Sequence, residues 1–208
     1  RLVIVGIGDD GLVGLTDNAR RTILEADVLL GAASTLEMLG DVKTRRVELD
    51  PDMSAALRQV RDALRAQRPV LVSGGDPLFY GVARYLCDRL GKDHFEVVPH
   101  VSSMQLAFAR VKESWEDAYL TSLAGRPVES VIDRIRSAEK VGLFSSDECP
   151  PSRLAKALLD RGIDYFKAYV CENLGSPDER VTQGELSDIV GLDFNPLNVI
   201  ILVRKPDR

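Results

Sequence analysis

The chain has 208 residues, 45% hydrophobic and 28% charged, a balance that excludes a disordered polymer. Its net charge is −5 and its pI near 5.2, with arginines scattered among acids, which excludes the basic stripe of a duplex-binding protein. Apolar runs such as Val28–Leu30 and Val199–Val203 are only strand-length, so no membrane span is expected. No basic segment leads into an apolar one as in a signal peptide. Cys87, Cys149 and Cys171 show no metal-ligand spacing, and His94 and His100 do not complete a zinc set. Reduced structural thiols in the cytoplasm, and no metal site, are the expectation.

The elements alternate from the start. Val3–Val5 reads as a buried strand ended by Gly6 and Gly8. Thr16 is placed to cap a helix striped by Ala19, Ile23 and Leu24. Asp27–Leu30 is a strand, and Ser34-Thr35-Leu36-Glu37 fits a capping box for a short helix. Arg46–Leu49 is a short strand. Leu57, Val60 and Leu64 recur at helical spacing, and Pro69–Ser73 is another buried strand. A helix is expected over 79–90, a strand at Phe95–Val98 and a helix at Ser103–Arg110. Such alternation predicts right-handed βαβ units and a parallel sheet.

After about residue 113 the pattern changes. A strand at Tyr119–Leu123 and a helix at Val128–Ser137 precede a strand at Val141–Phe144 and a helix at Pro151–Arg161. Strand-like runs at Tyr165–Cys171, near Arg180–Thr182 and at Asn198–Val203 have few helical residues between them, which predicts antiparallel pairing. The fold class is therefore α/β, with a parallel-sheet lobe over 1–114 and a mixed-sheet lobe over 115–208.

Three loops carry the chemistry. Gly6-Ile7-Gly8-Asp9-Asp10-Gly11 spells GxGxxG after a strand. A dinucleotide site also wants an acid closing the second strand, where this chain reads Gly31-Ala32-Ala33. Two acids inside the loop also repel a pyrophosphate, and a tight turn is the plain alternative. Gly74-Gly75-Asp76-Pro77-Leu78-Phe79-Tyr80 leaves a strand's carboxyl end, where open α/β sheets place ligands. Asp76 there is suited either to ribose hydroxyls or an ammonium, or to capping the next helix. Pro99-His100-Val101-Ser102-Ser103 leaves the following strand in the same way.

In that order, the glycine loop, Gly74-Gly75-Asp76-Pro77-Leu78-Phe79-Tyr80-Gly81 and the Pro-x-x-Ser-Ser at 99–103 resemble the tetrapyrrole methylase family over nearly the whole chain. Ser103–Arg110, Trp115-Glu116-Asp117-Ala118, Ser122-Leu123, Gly125-Arg126-Pro127 and Glu172-Asn173-Leu174-Gly175 are most similar to the subgroup that methylates C5 of precorrin-7. The resemblance implies a tetrapyrrole methylase fold of two lobes with S-adenosylmethionine in the cleft between them. Its product would be S-adenosylhomocysteine. By motif, the cofactor would touch Asp9, Gly74, Gly75, Asp76, Phe79, Ser102 and Ser103, and from the second lobe Ser145 and Leu174. The chain departs from the family where Asp9-Asp10 stands for Pro-Gly and His100 for glycine, and from the subgroup where Ala124-Gly125-Arg126 stands for His-Gly-Arg.

The activity so implied is methyl transfer to a ring carbon of a corrin precursor in cobalamin biosynthesis, by a homodimer with no nucleic-acid partner. Such a transfer needs in-line geometry more than an acid or base, so no catalytic residue is assigned. The substrate's carboxylates call for arginines, and Arg110 and Arg126 lie inside matching segments. The rivals are another methylase of the same pathway, a nicotinamide-nucleotide oxidoreductase resting on GxGxxG alone, and a non-catalytic S-adenosylmethionine sensor.

Overall fold

The structure is a computed structural model and describes residues 1–196 and 198–206. It divides into two units, Arg1–Ser102 and Ser103–Arg208. The first contains strands β1 (Leu2–Ile7), β2 (Val28–Gly31), β3 (Arg45–Glu48), β4 (Pro69–Gly74) and β5 (Phe95–Val98). Between them run helices α1 (Asp17–Leu24), α2 (Ala33–Glu37), α3 (Met53–Ala63) and α4 (Val82–Leu90). All five strands pair in parallel, in the order β3-β2-β4-β1-β5. The chain leaves β1 toward β2 and leaves β4 toward β5, so these two neighbours send their connections in opposite directions along the sheet. A reversal of this kind is where such sheets open a ligand crevice at the carboxyl edge.

The strand period sorts the core onto the two sheet faces. Val5 and Ile7 of β1 join Ala19 and Ile23 of α1 and Leu36 of α2 on one face. Leu2 and Ile4 join Val60 of α3 and Ala83 and Leu86 of α4 on the other. Leu2, Ile4 and Val5 are fully buried, and each such side chain contributes about 1.5–3 kcal/mol.

Most local signals hold. The Thr16 hydroxyl accepts the Ala19 N–H at 3.2 Å and caps α1. Leu24 departs from the expected stripe and is largely exposed, one position past the buried face. The capping box at Ser34 does not form. Helix α2 begins at Ala33, with Ala32 as N-cap and no side-chain hydrogen bond, which puts Ser34 inside the helix. The helix expected over 79–90 starts only at Val82, because Gly75–Tyr80 is used for turns.

The second unit opens with α5 (Ser103–Val111), β6 (Tyr119–Ser122), α6 (Glu129–Ser137), β7 (Lys140–Phe144) and α7 (Pro151–Leu159). β8 (Phe166–Glu172), β9 (Arg180–Glu185), α8 (Leu186–Ile189) and β10 (Asn198–Arg204) complete it. Its sheet runs β6-β7-β10-β8-β9, with β6 and β7 parallel and the remaining pairs antiparallel, as the closely spaced last strands predict. The chain divides at 102/103, whereas the sequence suggests 114/115, because α5 packs on the second sheet. A Cβ added to Gly142 of β7 would lie 2.6 Å from Met104 Sδ and 2.7 Å from Phe108 Cε2. Glycine lets the helix sit that close.

Candidate functional site

In the first unit the three loops converge on β1. Gly75 donates its N–H to the Ile7 carbonyl at 2.8 Å, extending the β1–β4 ladder by one bond, and then turns with φ +60°. That turn lays its carbonyl across Gly6. A Cβ on Gly6 would stand 2.1 Å from Gly75 O and 2.6 Å from His100 N, both backbone atoms. A Cβ on Gly75 would stand 3.2 Å from Ser102 Cα. The absence of side chains thus holds the loops after β1, β4 and β5 together. Each loop leaves the carboxyl end of its strand, on three neighbouring strands.

The expected contacts of this unit distribute as follows. Asp9 and Gly74 are exposed, and nothing lies within 4 Å of where a Gly74 Cβ would be. Asp76 is half-buried, and its Oδ1 accepts the Leu78 N–H at 2.9 Å. It does not cap α4, whose N-cap is Gly81. Phe79 is half-buried, with the Tyr80 ring edge-on at 5.1 Å. Ser102 is 6% exposed, and Ser103, the first residue of α5, is exposed. Two departures from the family pattern face each other, since His100 Nε2 stands 3.9 Å from Asp10 Oδ1.

The second-unit candidates gather at one end of their own sheet. Ser122 pairs with Phe144, Phe144 with Val199, and Glu172 with Asn198, so β6, β7 and β8 all end together. Arg126, Ser145 and Leu174 follow those three ends. Arg126 is exposed and donates from Nη1 to Thr121 Oγ1 at 3.4 Å, while Leu174 is 8% exposed. Arg110 is differently placed. Its guanidinium forks onto Glu179, with Nη2 to Oε2 at 3.1 Å, and Glu179 also accepts the Gly175 N–H at 2.9 Å. As found, Arg110 fastens the Leu174 loop to α5.

A carboxylate outside the sequence candidates anchors the same loop. Glu172 is 1% exposed and accepts from Arg180 Nε at 2.6 Å, Arg180 Nη2 at 2.8 Å and Asn195 N at 2.8 Å. Its signal in the sequence was only the Glu-Asn-Leu-Gly string. Around it lies a polar depression of about 530 Å³ lined by Asn173, Asp178, Glu179, Arg180 and Asn195. Among the described residues no cluster of three or more His, Cys, Asp or Glu could hold a metal, and no helix is long and apolar enough to cross a membrane.

Residues 1–190 match the tetrapyrrole (corrin/porphyrin) methylases. The chain belongs to this family. It is 35% identical over 201 residues to a precorrin-6Y C(5,15)-methyltransferase (decarboxylating) of Sinorhizobium sp, covering 95% of this chain and 48% of that protein. The chain thus spans about half the length of that relative. It is 30% identical to the cobalt-precorrin-7 C(5)-methyltransferase of Salmonella typhimurium, over 97% of this chain and 98% of that protein. Among solved structures, the uroporphyrin-III C-methyltransferase of Thermus thermophilus complexed with S-adenosylhomocysteine superposes with a TM-score of 0.81. It shares 22% identity over 98% of this chain and 97% of that one, a likeness of fold. Membership in the tetrapyrrole methylase family accounts for the α/β class and for the ordered glycine and serine loops.

The anchoring carboxylates make acid stability a readout of this end of the methylase's second sheet. Burial pushes the Glu172 carboxyl up, but the Arg180 hydrogen bonds, the Asn195 N–H and the Arg180 charge outweigh it and hold it below the usual range. Glu179 is held down by the Arg110 hydrogen bond, against partial burial and with help from the Gly175 N–H. A depressed folded-state value contributes stability above the unfolded value, about pH 4.3 for glutamate, and loses it as pH falls through the folded value. Urea unfolding below about pH 4.3 should therefore show stability falling with acid, and the fall should be shallower in Glu172→Gln. Equal slopes in wild type and variant would remove Glu172 from the account.

Proposed function

We propose that this methylase transfers a methyl group from S-adenosylmethionine to C5 of precorrin-7, or its cobalt form, in cobalamin biosynthesis. The observation that carries the reading is the side-chain-free convergence of three loops at Gly6 and Gly75, at the carboxyl edge where α/β sheets bind ligands. A Cβ at either glycine would crowd backbone of a neighbouring loop, whereas nothing lies within 4 Å of where a Gly74 Cβ would be, which leaves the backbone there open to close approach by a ligand. Gly74, Gly75, Asp76, Phe79 and Ser102, with Asp9 beside them, are the residues assigned to the cofactor.

Bound S-adenosylmethionine supplies a sulfonium methyl, already electrophilic. What the protein adds is orientation, which lowers such barriers by about 7–11 kcal/mol. Backbone groups of the glycine turns fix the cofactor without a competing side chain. The Asp76 carboxylate keeps one oxygen on the Leu78 N–H, which holds the second ready for a ribose hydroxyl or the ammonium. Arg126, exposed after β6, is assigned to a substrate carboxylate. Arg110 takes that role only if Glu179 releases it. The protein is further proposed to work in the cytoplasm as a homodimer, and light scattering reads the latter directly, a monomer being the contrary result.

Calorimetry should show S-adenosylhomocysteine binding and NAD not binding. Gly75→Val should abolish the former with the circular dichroism of the fold retained, because φ +60° and Ser102 Cα at 3.2 Å leave no room for a branched side chain. Normal affinity in that variant would place the cofactor elsewhere.

Substrate choice should separate from cofactor binding. Arg126→Ala should weaken turnover of the corrin precursor by about 1.5–3 kcal/mol, more than tenfold, with S-adenosylhomocysteine affinity nearly unchanged. Lysine should rescue part of the loss, since it lacks the two-pronged fork. Unchanged turnover would move carboxylate recognition off this loop.

A further inference from the structure

Tyr80 stands out in the first unit because it combines two costs. Its backbone has φ +54°, left-handed, for a residue with a bulky side chain. That conformation costs about 1–2 kcal/mol relative to the right-handed one. The side chain is also 54% exposed, so burial does not offset the strain. Glycine follows it rather than occupying the strained position. Strained backbone of this kind clusters at binding sites, which makes Tyr80 a candidate for one.

Its surroundings give the chemistry. Leu78, two residues earlier on the same loop, is 55% exposed, and Val101 on the loop after β5 is 48% exposed. Both loops are held together by the Gly75–Ser102 approach. Tyr80 and Leu78 on one loop and Val101 on the other thus leave apolar side chains exposed on the two loops that meet at the glycine cradle. A group receiving a methyl must lie against the donor, so residues flanking the cradle are positioned for the acceptor. A macrocycle is broad and apolar on its faces and charged at its edge, and an aromatic ring with two aliphatic neighbours suits a face.

We infer that Tyr80 is a substrate-specificity residue whose ring, held out by the strained turn, packs on the face of a tetrapyrrole acceptor. This rests on the methyltransferase reading above. The Phe79 ring, edge-on at 5.1 Å, limits how the Tyr80 ring turns. Cofactor binding belongs to the glycines, so losing the Tyr80 ring should leave it intact.

The test compares Tyr80→Gly and Tyr80→Phe with the full chain. Glycine removes the ring and accepts the backbone conformation. The unfolding midpoint of Tyr80→Gly should stay within about 3 °C of wild type, because strain relief and added chain entropy roughly cancel. Its S-adenosylhomocysteine affinity should change less than about twofold and its solution mass not at all, while KM for the corrin precursor rises roughly tenfold. Absorbance titration of that precursor, with S-adenosylhomocysteine present, should show the same loss without turnover. Tyr80→Phe should keep near-wild-type KM. An unchanged KM in Tyr80→Gly overturns the inference, as does a collapse of midpoint or mass together with KM, or a phenylalanine variant as impaired as the glycine one. Failure of wild type to bind S-adenosylhomocysteine would instead overturn the methyltransferase reading, which separates the two.

Discussion

The close approach of backbone to Gly6 is the constraint on which the first unit's carboxyl edge depends. The Gly75 carbonyl lies where a β-carbon of residue 6 would be, 2.1 Å away, and the His100 amide nitrogen is nearly as close. Neither neighbour is a flexible side-chain tip, so no substitution fits without moving a loop. Because β4 and β5 flank β1, one missing side chain brings the loops after β4 and β5 against the loop after β1. The Gly75 N–H to Ile7 O bond fixes the height of the β4 loop above the sheet. The hydrophobic sandwich beneath, with Ile4, Val5 and Ile7 buried on alternate faces, makes that edge rigid.

The second unit solves a related problem with charge. Its β8 end carries Asn173 at φ +49° and then the Leu174 loop. Glu172 holds Arg180 and the Asn195 amide, and Glu179 holds Arg110 and the Gly175 amide. A buried carboxylate satisfied by three donors specifies geometry, because any displacement leaves a charge without partners. The loop is thereby tied to β9, to α5 and to the segment before β10. Among the described residues, the Arg126 guanidinium carries no such ion pair and reaches only the Thr121 hydroxyl.

Periodicity and cap chemistry made the fold legible. Thr16, Ala19 and Ile23 announce α1, and the crowding of strands at the carboxyl end announces antiparallel pairing. Signals failed where several residues serve tertiary packing instead of local propensity. Ser34 has the spacing of a capping box, yet α2 begins one residue earlier. Phe79 and Tyr80 look helical, yet are spent on a turn. The Gly74–Gly75 pair and the Ser102 loop were visible as a candidate site because glycine and serine punctuate strand ends. The partnerships of Glu172 with Arg180 and of Arg110 with Glu179 were not, since spacings of 8 and 69 residues carry no period. Nor does any local pattern reveal that Asp10 and His100, two departures from the family sequence, stand within reach of one another.

The loops gathered at Gly6 are the proposed seat of the S-adenosyl cofactor. Amide chemical-shift mapping during titration with S-adenosylhomocysteine tests it most directly, because each loop reports separately. Shifts should concentrate in residues 6–11, 74–80 and 100–103, with the rear of the sheet around Arg61, Arg89 and His94 unmoved. Saturable shifts centred on that rear surface, with the three loops silent, would contradict it.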